Sequence, residues 1–78
     1  MREKELKYIV TFHTTTGAMR MEKFCKEHDY PGRLIPVPRS ISAGCGLCWA
    51  APVAERERIH EMLFAEGMDV DGEYERML

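Results

Sequence analysis

The chain predicts an α+β fold of split β-α-β type, and three observations carry that prediction. Apolar residues alternate with polar ones in some stretches and recur at spacings of three and four in two others. In chain order these stretches read strand, helix, strand, strand, helix, strand. Clusters of Gly, Pro, Asp and Thr punctuate the junctions between them.

Leu6 to His13 reads as the first strand. Tyr8, Val10 and Phe12 form its apolar face, while Lys7, Ile9, Thr11 and His13 form a mixed face that suits a sheet covered on one side only. Thr14-Thr15-Thr16-Gly17 breaks the strand and supplies hydroxyls able to cap a helix. The helix that follows runs from about Gly17 to His28, with Ala18, Met21, Phe24, Cys25 and His28 on one face. Cys25 is therefore a small core residue, and His28 supports the helix C-terminus. Asp29-Tyr30-Pro31-Gly32 is a turn.

Arg33 to Val37 is a short second strand, which Pro36 confines to an edge or brings to an end. Leu47 to Ala51 is the third strand, with Leu47 and Trp49 facing one way and Cys48 and Ala50 the other. Pro52 suits the first position of a second helix, Pro52 to Glu66, whose apolar stripe is Val53, Ile59, Met62 and Leu63. Gly67 ends it as a left-handed cap. Asp71-Gly72 reads as a turn, followed by a short edge strand within Glu73 to Met77. The order gives a ferredoxin-like β-α-β-β-α-β domain: a four-stranded antiparallel sheet with two helices on one face.

At 78 residues the chain is expected to be a single domain, 1–78. A core this small is thin, so a homodimer would add burial. A net charge of −2 argues against a nucleic-acid surface, and no apolar run reaches the length of a membrane span. The charged start, Met1-Arg2-Glu3-Lys4-Glu5, is unlike a secretion signal. Three cysteines without such a signal point to reduced thiols in a cytoplasmic protein.

Chemistry concentrates in the loop Pro38 to Gly46. Gly44 and Gly46 frame Cys45, and the flexible backbone they provide suits presentation of a thiol at the surface. Free N–H groups of such a turn favour an anion, a thiolate or persulfide included. Arg39, Ser40 and Ser42 add donors on the approach. The competing reading makes Gly44-Cys45-Gly46 a plain turn with Cys45 as filler. Cys45-Gly46-Leu47-Cys48 is also a C-x-x-C motif, but it leads into a strand rather than a helix. Residues three apart on a strand face opposite ways, so a redox pair would need a bend at Gly46. A Cys45–His13 pair would need the loop to fold over the end of the first strand. One C-x-x-C and scattered histidines do not make a zinc site, so neither a metal nor a cofactor is expected. Glu55, Glu57, Glu61 and Glu66 read as a solvated face beside Arg56 and Arg58.

Tyr8-Ile9-Val10-Thr11-Phe12 before the threonines, Ala18-Met19, and above all Pro38-Arg39-Ser40-Ile41-Ser42 followed by Cys45-Gly46 resemble a small bacterial family, the selenium/sulfur carrier protein-like domains. The resemblance covers nearly the whole chain. It implies a carrier rather than a true enzyme, holding sulfur or selenium on Cys45 as a persulfide or selenosulfide. It also implies donor and acceptor proteins as partners. The chain departs from the family in having Ala43-Gly44 where small hydroxylated residues are usual. Cys48, where a small apolar residue is common, reads as a resolving thiol or a structural substitute. The alternatives to a carrier are a thiol-disulfide protein using Cys45 and Cys48, and a non-catalytic interaction module.

Overall fold

The computed structural model describes residues 4–41 and 44–78, with the elements in the predicted order. They are β1 (Leu6–Phe12), α1 (Thr15–Glu27), β2 (Arg33–Pro36), β3 (Leu47–Pro52), α2 (Arg56–Ala65) and β4 (Val70–Met77). The strands form one antiparallel sheet in the order β2-β3-β1-β4. Both helices pack on the same face, which is the ferredoxin-like arrangement.

The alternation in β1 decides which face that is. Tyr8, Val10 and Phe12 point to the helices and meet Trp49 and Ala51 of β3. Ala18, Met21 and Cys25 of α1 close over them, with Ile59, Met62 and Leu63 of α2. Burying one such side chain is worth about 1.5–3 kcal/mol, so this cluster dominates the stability of a small domain. Trp49 is placed further by its indole N–H, which donates to the Pro31 carbonyl at 3.1 Å.

Capping fixes the helix ends. The Thr14 hydroxyl accepts from the Gly17 N–H at 3.0 Å and donates to Asp69 Oδ2, also at 3.0 Å. At the end of α2, Gly67 has φ +59° and the Met68 N–H returns to the Leu63 carbonyl at 3.0 Å. This is the left-handed cap the sequence predicts.

Three expectations are corrected. Pro52 is the last residue of β3, because Lys7 of β1 pairs opposite it. A single 3-10 turn, Val53–Glu55, then leads into α2 at Arg56. Asp71-Gly72 lies inside β4 rather than in a turn before it. Phe12 pairs with Val70 and Thr11 with Gly72, so Asp71 is the extra residue of a bulge. The face away from the helices is also covered in part. Ile9, Cys48 and Ala50 face away from the helices, yet Ile41 from the β2–β3 loop buries them. The mixed face of β1 signalled the sheet's orientation but not a loop folding back over it.

Candidate functional site

One end of the sheet gathers the close of β1, the starts of β3 and β4, the N-terminus of α1 and the C-terminus of α2. The β2–β3 loop lies at this end. Its base is closed by the Val37 N–H donating to the Gly46 carbonyl at 3.0 Å. Gly46 has φ +78°, a conformation that favours glycine, and it turns the chain into β3.

Further along the loop, the Ile41 N–H donates to the Pro38 carbonyl at 3.0 Å. This forms a β-turn with Arg39 and Ser40 at its tip, both exposed. Ile41 drops from the turn onto Ile9, Cys48 and Ala50. The Ser40 hydroxyl accepts from Arg76 Nε at 3.1 Å, so the turn is fastened across the sheet to β4. Arg76 itself lies over the Tyr74 ring, 5.4 Å from its centroid.

The three cysteines are free and occupy three different environments. Cys25 is buried in α1, where burial pushes its thiol up to about 11 against the opposing charge of Arg58. Cys48 is fully buried on the other face of the sheet. Burial first, and the nearby Cys45 second, push its thiol up to about 11. Cys45 is the one cysteine that solvent reaches, half-buried against the helix-side core. Its thiol donates to the Leu47 carbonyl, with 3.2 Å between Sγ and the oxygen.

The remaining sequence candidates do not converge on this thiol. Arg39 stands at the exposed turn tip, while Ser40 is engaged with Arg76. A Cβ at Gly44 would lie 3.7 Å from the His13 carbonyl. The loop therefore does fold over the end of β1. The His13 ring, however, pairs with Asp71 of β4 at 3.4 Å, whereas Cys45 leads into β3 on the other side of β1. Ser42 lies outside the described residues. Cys45 and Cys48 are three residues apart but belong to clusters on opposite faces.

A second polar cluster was not singled out in the sequence. The Tyr8 hydroxyl donates to Glu73 Oε1, and His60 Nδ1 lies 2.7 Å from the same oxygen. Arg56 pairs with Glu75 at 3.0 Å. These contacts tie α2 to β4 and β1. Burial works against ionisation of Glu73. The hydrogen bonds from Tyr8 and His60, with the charges of His60 and Arg56, outweigh it and hold the carboxyl below the usual glutamate range. Burial, aided by the Glu73 hydrogen bond and charge, pushes the Tyr8 phenol far up, so it stays a donor. The alternation of Glu73 and Glu75 in β4 and the four-residue spacing of Arg56 and His60 in α2 were the legible signal.

A groove of about 640 Å³ opens at the opposite end of the sheet, lined in part by Lys7, Arg33, Ile35, Ala50 and Pro52. It is remote from Cys45, where β3 starts. Among the described residues, no group of three or more His, Cys, Asp or Glu is arranged to hold a metal ion. No described helix is long and apolar enough to cross a membrane.

No curated protein and no solved structure gives a significant match to this chain. Residues 7–75 match the family described as "Putative Se/S carrier protein-like", a span that holds the whole β2–β3 loop and all three cysteines. The chain belongs to that family.

Proposed function

We propose that the protein carries sulfur or selenium on Cys45, between a donor and an acceptor protein in a reducing, cytoplasmic setting. The observation that supports this most is the contrast among the thiols: Cys25 and Cys48 are buried, while Cys45 meets solvent on a glycine-framed loop. Family membership supports the same chemistry. A carrier needs an accessible thiol and room for two partners in turn, and does not need an enclosed substrate pocket.

Loading from a donor persulfide balances without any other reagent. The Cys45 sulfur attacks the outer sulfur of the donor, whose S–S bond breaks. The electron pair leaves with the donor thiolate, which takes the proton that Cys45 gives up. The products are a donor thiol and a Cys45 persulfide. Delivery to an acceptor thiolate is the same step in reverse roles. At rest the Cys45 thiol donates to the Leu47 carbonyl, so loading begins when the approach of the donor displaces that hydrogen bond. Arg39, on the exposed tip of the same loop, supplies positive potential for an incoming thiolate or persulfide.

Cys45→Ser tests the proposal. The variant is expected to keep the fold and to lose labelling by a small-molecule persulfide donor. Labelling at the native rate would remove Cys45 from the carrier role.

A further inference from the structure

We propose that the Pro38–Ile41 turn is a clasp that keeps Cys48 out of reach of Cys45, and that lifting it lets Cys48 resolve a persulfide on Cys45. The proposal rests on the carrier reading for its persulfide. The clasp itself rests on geometry.

Three contacts build it. Ile41, only 6% exposed, packs in one cluster with Cys48, Ile9 and Ala50. The Pro38–Ile41 hydrogen bond shapes the turn that aims Ile41 downward. The Arg76–Ser40 hydrogen bond ties the turn to β4. They hold Ile41 in the cluster that contains the buried Cys48, against which Ile35, Val37 and Tyr74 also pack, while Cys45 sits half-buried against the opposite, helix-side cluster. Cys48 is held in the central sheet by pairing with both Thr11 and Ile35. The moving partner is therefore Cys45, which has a glycine on either side.

Once Ile41 lifts, the chemistry is a single displacement. The Cys48 thiolate attacks the Cys45 sulfur that carries the outer sulfur atom. The Cys45–outer sulfur bond breaks, and its electron pair leaves as hydrosulfide, which takes the proton released by Cys48. A Cys45–Cys48 disulfide remains. The clasp thus separates two outcomes for a loaded carrier: transfer to a partner when closed, discharge as hydrosulfide when open.

The test compares native protein with Ile41→Ala and Arg76→Gln. Alkylation by iodoacetamide is followed at each cysteine by peptide mass spectrometry, and intramolecular disulfide formation is driven by diamide. Cys25, buried on the helix side, reports global unfolding. The expected result is a rise in Cys48 alkylation of roughly tenfold or more in Ile41→Ala, from easier local opening, with Cys25 unchanged. A smaller rise is expected in Arg76→Gln. Disulfide formation should accelerate in the same order, and Ile41→Ala loaded with persulfide should release hydrosulfide faster unless Cys48→Ser is added. A Cys48 rate that stays native, or that rises only together with Cys25, overturns the clasp. Exposed Cys48 without faster disulfide formation overturns the resolving step. A protein that never loads persulfide defeats the carrier reading, while the alkylation and diamide readouts still decide the clasp.

Discussion

Removing the Tyr8 hydroxyl tests the polar cluster in which Glu73 of β4 joins Tyr8 of β1 and His60 of α2. Tyr8→Phe keeps the ring in the core and deletes only the donor to Glu73. A hydrogen bond to a charged group contributes about 1.5–3 kcal/mol, and a neutral pair about 0.5–1.5 kcal/mol. At neutral pH Glu73 is ionised, so the larger range applies. The pH dependence gives the sharper check. The Glu73 carboxyl titrates lower in the folded state than in the unfolded chain. Its stabilisation is therefore fully present above the unfolded value of about 4.3 and is lost as pH falls through the lower folded value. The cost of Tyr8→Phe should shrink to the neutral range in acid. Urea denaturation of both proteins at neutral pH and near pH ~3 measures it. A cost equal at both pH values, or under about 0.5 kcal/mol at neutral pH, would refute the reasoning.

Two further outcomes are expected. Gly67→Ala places a Cβ in open space but forces a left-handed conformation at φ +59°, so it should cost about 1–2 kcal/mol, read from the urea midpoint. Arg39→Ala should slow persulfide loading at low ionic strength and leave stability unchanged, because Arg39 is exposed at the turn tip. An unchanged loading rate at low salt would take Arg39 out of the mechanism.

The fold was legible because local periodicity and packing agree. The alternation of Tyr8, Val10 and Phe12 and the spacing of Ala18, Met21 and Cys25 each expose one apolar face, and those faces meet in one cluster. The opposite orientations of Leu47 and Cys48 followed from strand geometry alone. What escaped depends on residues distant in sequence. Proline at position 52 fits a helix start by local preference, but pairing with β1 holds it in β3. Asp71-Gly72 has turn composition, yet β1 pairs on both sides of Asp71 and turns it into a bulge. Ile41 gave no periodic signal, since its burial comes from a loop folding over a finished sheet. At the site, the glycine frame of Cys45 was readable. The Leu47 carbonyl at its thiol and the Asp71 partner of His13 were not, because neither follows from spacing.

The measurement that bears most directly on the central claim is the position of the added sulfur. The reduced native protein would be incubated with a small-molecule persulfide donor, trapped by alkylation, digested and mapped by mass spectrometry. The predicted result is one additional sulfur atom on the peptide bearing Cys45, specifically on that residue, with Cys25 and Cys48 unmodified while the fold is intact. Sulfur found first on Cys48 or Cys25, or on no cysteine at all, would contradict it.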